Sequence, residues 1–450
     1  MTTDSGQSPH SLLDRLLPQG IRVGGDQLRE FSWLAGGQAF AVLLSLVSIK
    51  LVSTIGAAEY GKYVLALSVG GMLNLALYGP MEQGYIRMFF YYSTPDGTRA
   101  GYFRSLKWLL ARLSGALTLV AGLGILAGQI FFGLEIPFTA ATAASILLTA
   151  TAIPVTGLLG ALRLRREVSL LSIIERVAFI ILLLGVRWIV PLTATAILAC
   201  LALSTGMILV ARVSLLDRNA GPPPVPAEVR PGPSGAADRR EIFSRILDYA
   251  RPFLLWGGVA WIQSNGERWV IDGVMAKADV GRYGLAANLV NNSAVLVVGV
   301  IGQFLGPIIY RQFSSSADAE LRKGKAIIRM NTLVTVVIFG AAGLLLAYFG
   351  DVIIHAVSSH DFTMDGHILL LLTFGLGAFH VGQAMTSLGL AGNRPGVYVV
   401  PKFAAALVSL VLYYVGCRYW GLTGLVSGLF LANMLYVALI WNANRKLTGT

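Results

Sequence analysis

Charge is scarce in this chain. Its 35 basic and 23 acidic side chains make up 13% of 450 residues, whereas apolar residues make up 55%. A soluble domain carries roughly a quarter charged residues, because its surface must be wetted. A water-soluble globular fold of this size is therefore excluded, and a mean hydropathy of +0.68 agrees. Cysteine is almost missing: Cys200 and Cys417 lie in separate apolar stretches and make neither a disulfide framework nor a metal knuckle. No basic block with interleaved aromatics is present, so the net charge of +12 does not point to nucleic acid. Catalytic signatures are lacking as well. There is no Gly-x4-Gly-Lys-Ser/Thr phosphate loop, Gly-x-Ser-x-Gly elbow, His-Glu-x-x-His pair or Asp-x-Asp motif. The expectation is a non-enzyme without cofactor or metal. His355, His360, Asp361, Asp365 and His367 have ligand chemistry, but their spacing matches no standard site and reads as a solvated loop.

What is present is a series of long apolar runs. A spanning helix needs about 20 such residues, and twelve candidates occur: 31–55, 63–86, 108–132, 138–161, 168–189, 193–213, 250–273, 283–309, 327–350, 367–390, 397–416 and 421–441. The polar first 30 residues make a cleavable signal peptide unexpected. Between the sixth and seventh runs lies a segment with Pro222, Pro223, Pro224 and Pro226, a composition that packs no core. The expected organisation is a cytoplasmic segment 1–30, an N-terminal lobe 31–213, a linker 214–249, a C-terminal lobe 250–441 and a tail 442–450. Lys and Arg number 25 in the segments on the side of the termini and 5 in the opposite loops. The positive-inside rule then puts both termini in the cytoplasm.

The chain repeats itself. Ala58-Glu59-Tyr60-Gly61-Lys62-Tyr63-Val64-Leu65-Ala66 returns as Ala278-Asp279-Val280-Gly281-Arg282-Tyr283-Gly284-Leu285-Ala286 at a constant offset of 220 residues. Gln83 and Gln303 repeat at the same offset. Two parallel six-helix halves follow, related by an axis along the membrane normal, with a substrate site expected between them.

The turn GAAEYGKYVLALSV, its echo ADVGRYGLAANLV, the stretch GQFLGPIIYRQF and the closing YWGLTGLVSGLFLANMLYVALIW resemble the polysaccharide-biosynthesis flippases. These are Wzx-like O-antigen and exopolysaccharide flippases of the multidrug/oligosaccharidyl-lipid/polysaccharide exporter superfamily. The resemblance spans nearly the whole chain. It implies an all-α polytopic membrane protein with twelve transmembrane helices in two six-helix lobes, forming a V around a central cavity lined chiefly by helices 1, 2, 7 and 8. It implies a bacterial inner-membrane transporter that flips a polyprenyl-diphosphate-linked oligosaccharide for lipopolysaccharide or exopolysaccharide. Membrane lipids, a polysaccharide polymerase and other glycan assembly proteins are the partners it suggests. Two rivals stay open: a cation-coupled multidrug exporter of the same superfamily, and a non-transporting partner in a glycan assembly complex. The first run holds Lys50 and no carboxylate, which favours an anionic cargo.

Candidate binding residues each have a plainer reading beside the functional one. In the seventh run Gly257, Trp261, Ser264, Asn265, Arg268 and Asp272 recur every three or four residues and form one polar stripe. Arg268 could receive the diphosphate through its forked donors, or it could snorkel or pair with Asp272. Lys50 could add a point charge, or snorkel along an apolar face. Asn74, Tyr78 and Tyr85 share one face, as do Asn288, Asn292, Gly299 and Gln303. These could bond sugar hydroxyls, or serve as packing contacts between helices. Arg87 could capture headgroup phosphate, or be an ordinary positive-inside residue. Snorkelling accounts for Arg112 and Lys402, and structural roles for Glu175 and Arg176.

Overall fold

The computed structural model describes residues 25–92, 99–133, 135–162, 164–219, 236–313, 317–359 and 361–448. Among them there is no strand. The described residues form twelve long helices: α1 (Gly25–Ser53), α2 (57–92), α3 (Arg99–Phe132), α4 (Ile136–Ala161), α5 (Arg165–Ile189), α6 (Ala194–Asn219), α7 (Ala236–Val274), α8 (Lys277–Phe313), α9 (Asp318–Val357), α10 (Gly366–Ala391), α11 (399–420) and α12 (422–448). A short 3-10 turn, Pro395–Tyr398, leads into α11. The last two helices meet at Gly421, whose φ of 61° breaks the helical path; a side chain there would be strained.

Ten helical stretches are long and apolar enough to cross a membrane, and the last of these, Pro395–Leu447, contains both α11 and α12. The helix that fails the apolar test is α7, some of whose polar groups are met by neighbouring helices while Glu267 Oε2 and Arg268 Nε are buried without a hydrogen-bond partner among the described residues. Gln263 donates to Asn433 Oδ1 at 3.0 Å and Tyr413 donates to the Gln263 carbonyl at 3.2 Å. With no water in hydrocarbon, such internal pairing is what a polar span requires. Helix α6 runs on to Asn219 and α7 starts at Ala236, so both ends of the expected linker 214–249 are helical. Residues 220–235 lie outside the described residues.

The helices form two six-helix lobes around a central cavity. In the first, α6 packs between α4 and α5, α1 lies on α5, and α2 closes against α4. In the second, α10 packs against α9 and the α11–α12 pair, and α7 lies along that pair. The lobes meet along α2–α8, α2–α7 and α1–α8. Large apolar side chains such as Leu119, Leu123, Val210, Leu333 and Leu407 stay exposed. In water such an area would be a liability; against lipid tails it is the expected surface. Trp188, Tyr419 and Trp420 are exposed at one end, where an aromatic belt sits at the bilayer interface.

Both α2 and α8 are interrupted by a π turn, at Asn74–Tyr78 and Asn291–Val295. Such bulges widen a helix locally and often mark functional positions. The repeated turns before α2 and α8 are at the end that the charge bias assigns to the outside, here the outer end.

Candidate functional site

At the outer end the two repeats are packed on each other. A Cβ on Gly61 would fall 2.1 Å from the Lys277 carbonyl oxygen, and one on Gly281 would fall 1.9 Å from the Ala57 carbonyl oxygen. The contacts are reciprocal, as twofold-related helices require. Around this crossing α1 is fastened to the α9–α10 loop. Lys50 donates to the carbonyls of Ser358 (2.6 Å) and His355 (3.1 Å), and Ser53 exchanges two hydrogen bonds with Ser359. The Tyr60 ring meets Phe362 edge-on at 5.4 Å. The outer ends of the lobes are closed.

Further in, the two seams between the lobes differ. Along the α7–α2 seam, Trp261 and Trp269 donate to the Ser68 carbonyl (2.7 Å) and hydroxyl (3.0 Å). Gly257 abuts the π turn of α2, where a Cβ would fall 1.7 Å from the Leu75 carbonyl oxygen. A bulge leaves carbonyls outside the regular ladder, and only glycine lets α7 approach one so closely. Across the α1–α8 seam lies a cavity of about 410 Å³ instead.

That cavity mixes polar groups with apolar ones such as Ile49, Val52 and Leu67. Helix α1 contributes Ser45 and Ser48, α2 contributes Tyr60 and Tyr63, and α8 contributes Asn288 and Asn292. Its remaining wall comes from α5, with Ser172, Glu175, Arg176 and Phe179 at positions i, i+3, i+4 and i+7, and from α6, with Leu201 and Ser204. Glu175 is already engaged: it accepts from Arg212 at 2.7 Å and from Thr205 at 2.8 Å. Arg212 is 5% exposed, so this pair is neutralised inside the lobe. Arg176 hydrogen-bonds the Ser45 hydroxyl and has no carboxylate partner among the described residues. Glu175 also acts on Arg176 electrostatically, so the group of Glu175, Arg212 and Arg176 carries one net positive charge beside hydroxyls and amides. In a low-dielectric surround, such a charge attracts an anion strongly.

Of the expected site residues that are described, this cavity gathers only Asn288 and Asn292. Asn288 donates to the Tyr60 hydroxyl at 3.0 Å. Arg268 does not line the cavity but is near enough to Tyr60 to act on it electrostatically. Its side chain is 12% exposed; it donates to Asn265 Oδ1 at 3.0 Å and lies 3.8 Å from Glu267. Asn265 in turn donates to Ser264, so these three form one network beside the cavity wall. Asp272 pairs with Lys277 at 2.7 Å rather than with Arg268. Asn74 lines a separate space of about 130 Å³ between α2, α4 and α6. Tyr78 is fully buried. Lys50 is held in the outer fastening, and Arg87 is exposed on α2. The Gln303 side chain lies outside the described residues. Two structural expectations change. Arg176 faces the cavity, and Lys402, 3% exposed, does not snorkel: its ammonium stands 3.8 Å over the Trp256 ring and donates to Gln383. No group of three or more His, Cys, Asp or Glu converges among the described residues.

No family model matches the sequence, and no curated protein does. Solved structures do. A multidrug resistance MATE family transporter of the MOP superfamily, in an inward-facing conformation, superposes with a TM-score of 0.70 at 14% identity, over 90% of this chain and 94% of that one. A MOP superfamily transporter from Pyrococcus furiosus, described by a binding pocket of reverse polarity, gives 0.65 at 13% identity over 94% and 95%. The lipid II flippase MurJ, in an inward closed conformation, gives 0.62 at 11% identity over 93% and 87%. The chain thus has the fold of MOP-superfamily transporters, a multi-pass membrane architecture.

Proposed function

We propose that this chain is a bacterial inner-membrane transporter that moves a polyprenyl-diphosphate-linked oligosaccharide between leaflets by alternating access, with both termini cytoplasmic. The lobes 31–213 and 250–441 rock as units about the outer crossing, and the linker 214–249 joins them. The observation that carries this reading is the α1–α8 cavity, where Arg176, the net positive charge beside the Glu175–Arg212 pair, faces serine hydroxyls and asparagine amides. An anionic headgroup with attached sugar needs that combination: forked donors for phosphate oxygens and neutral hydrogen-bonding groups for hydroxyls. Arg268, which acts electrostatically on Tyr60 and shares its charge with Glu267 at 3.8 Å, is the second arginine near this site that a diphosphate could draw on. Ser264 and Asn265 hold that arginine; Asn288, Asn292, Asn74 and Tyr78 furnish polar groups along the path; Arg87 meets headgroups at the inner mouth. The MurJ likeness supports a lipid-linked cargo, which a polysaccharide polymerase and other glycan assembly proteins would then use.

The multidrug exporter reading has weaker support. A cation site needs a free carboxylate, and the carboxylate in the cavity, Glu175, is committed to Arg212. The test is complementation of a flippase-deleted strain, scoring surface polysaccharide per membrane-inserted protein. Arg176→Ala and Arg268→Ala should each lose most of the signal, and the lysine replacements should recover part of it. Full polysaccharide from the Arg176→Ala/Arg268→Ala double variant would end this reading.

A further inference from the structure

A second, chemically different space lies between α2, α3 and α4 in the outer half of the first lobe, with a volume of about 760 Å³. Its walls are apolar: Val69 and Leu73 from α2, Leu117 and Ala121 from α3, Phe138 and Ile146 from α4. Its rim is charged, formed by Glu59, Lys62, Glu135 and Lys277. From Glu59 down to Leu73 the groove follows fourteen residues of α2, about 21 Å at ~1.5 Å per residue. One leaflet of a ~30 Å hydrocarbon core is shallower than that, so the groove accepts the full length of a lipid chain. The protein itself does not fill it, because the outer half of α3 stands away from the bundle. Among the described residues nothing approaches within 4 Å of the Cβ positions of Gly115, Gly122 and Gly124, and Leu119 and Leu123 are 65% and 59% exposed.

The rim charges select the headgroup. Lys62 pairs with Glu59 at 2.6 Å and Lys277 with Asp272 at 2.7 Å. Glu135 acts on Lys62 at longer range but has no ion pair of its own among the described residues. An exposed, unpaired carboxylate beside two ammonium groups with donors to spare is complementary to a headgroup bearing an N–H cation and a phosphate. A quaternary ammonium has no N–H to donate, and an anionic headgroup would meet Glu135 with like charge. We propose that this groove binds one zwitterionic phospholipid with a primary-ammonium headgroup, of the phosphatidylethanolamine type. The site is independent of the cargo cavity. Trp269 and Lys277 bring the second lobe into its wall and rim, so a bound lipid bridges the lobes and favours closed outer ends.

The test is native mass spectrometry of the purified full chain, exposed to an equimolar mixture of phosphatidylethanolamine, phosphatidylcholine and phosphatidylglycerol. One phosphatidylethanolamine should stay bound, preferred about tenfold over either competitor. Glu135→Gln should remove the preference while a lipid is still retained. Ala143→Phe, which fills the groove from α4, should remove retention; should that variant not fold, Ala121→Phe from α3 does the same. Equal retention of the three lipids, an unchanged preference in Glu135→Gln, or undiminished retention in the folded groove-filled variant would each overturn the proposal.

Discussion

Gly257 and Gly37 stand at equivalent positions, 220 residues apart in the repeat, yet only Gly257 touches the other lobe. The nearest atoms to a Cβ on Gly257 are backbone atoms of Leu75 and Ala76, across the lobe boundary. Gly37 meets only Ser169, on α5 of its own lobe. The twofold repeat is thus preserved in sequence and broken in packing. One seam is zipped along α7 and α2, while the other is held apart by the cavity between α1 and α8. For the transport proposed above, inequivalent seams of this kind would let a cargo enter on one side while the other holds the lobes together.

The inequality is measurable as stability. At Gly257 an added methyl would fall 1.7 Å from the Leu75 carbonyl oxygen and 2.5 Å from its carbon, atoms that cannot swing aside. Overpacking of that kind costs about 1–3 kcal/mol or more. At Gly37 the nearest atom is Ser169 Cβ at 3.4 Å, an ordinary contact, and alanine favours the helix. Thermal melts in detergent should show a clear fall in Tm for Gly257→Ala and little change for Gly37→Ala. Equal losses at both positions would contradict the asymmetry.

The outer crossing makes a conformational prediction. Gly61→Ala or Gly281→Ala places a methyl about 2 Å from a carbonyl oxygen of the opposing helix, which the closed arrangement cannot admit. The outer ends should part, shifting the population toward an outward-open form. Spin labels at the exposed positions Thr54 and Asp361 report this directly. Their mean separation should lengthen in either variant. An unaltered distance distribution in folded protein counts against the crossing as the point of closure.

Much of this architecture was legible in the sequence. Apolar runs of membrane length and a repeat at constant offset already imply a many-helix bundle in two halves, because period and length are local properties. The polar wall of α5 was legible too, since Ser172, Glu175, Arg176 and Phe179 follow helical spacing; what concealed it was that α5 lies outside the four helices the resemblance singles out. Lys402 was not legible. A lysine a few residues inside a helix reads as snorkelling, and only the tertiary fold brings Trp256 and Gln383 around it. Periodicity marks the Ser264–Arg268 stripe as polar, but it says nothing about which neighbour the stripe meets. The hydrogen bonds of Trp261 and Trp269 to Ser68 turn α7 toward α2.

The pair Glu175–Arg212 gives a third expectation. Arg212 is almost wholly buried, and Glu175 is its only carboxylate partner among the described residues. Glu175→Gln leaves that guanidinium uncompensated, at a cost on the order of 3 kcal/mol. The double variant Glu175→Gln/Arg212→Met removes the stranded charge and should recover most of the loss in a chemical or thermal melt. If the single variant is as stable as the parent protein, the pair is not what neutralises the lobe interior, and Glu175 returns as a candidate for cation binding.

Lys50 separates a structural fastening from a contact with cargo. Its ammonium bonds the Ser358 and His355 carbonyls, where α9 ends, and a cation at a helix C-terminus is favourably placed against the helix dipole. Lys50→Met keeps the apolar stem and removes the donors, so the α1 link to the α9–α10 loop should weaken while Ser53 and Ser359 still hold part of it. The expected outcome is a longer Thr54–Asp361 label separation with a partial loss of surface polysaccharide, smaller than the loss in Arg176→Ala. Lys50→Arg restores donors and charge, and should restore both readouts. The two roles diverge in one result: complete loss of export with the label separation unchanged would mean that Lys50 acts on the cargo itself, because a fastening cannot fail without the ends it joins moving apart.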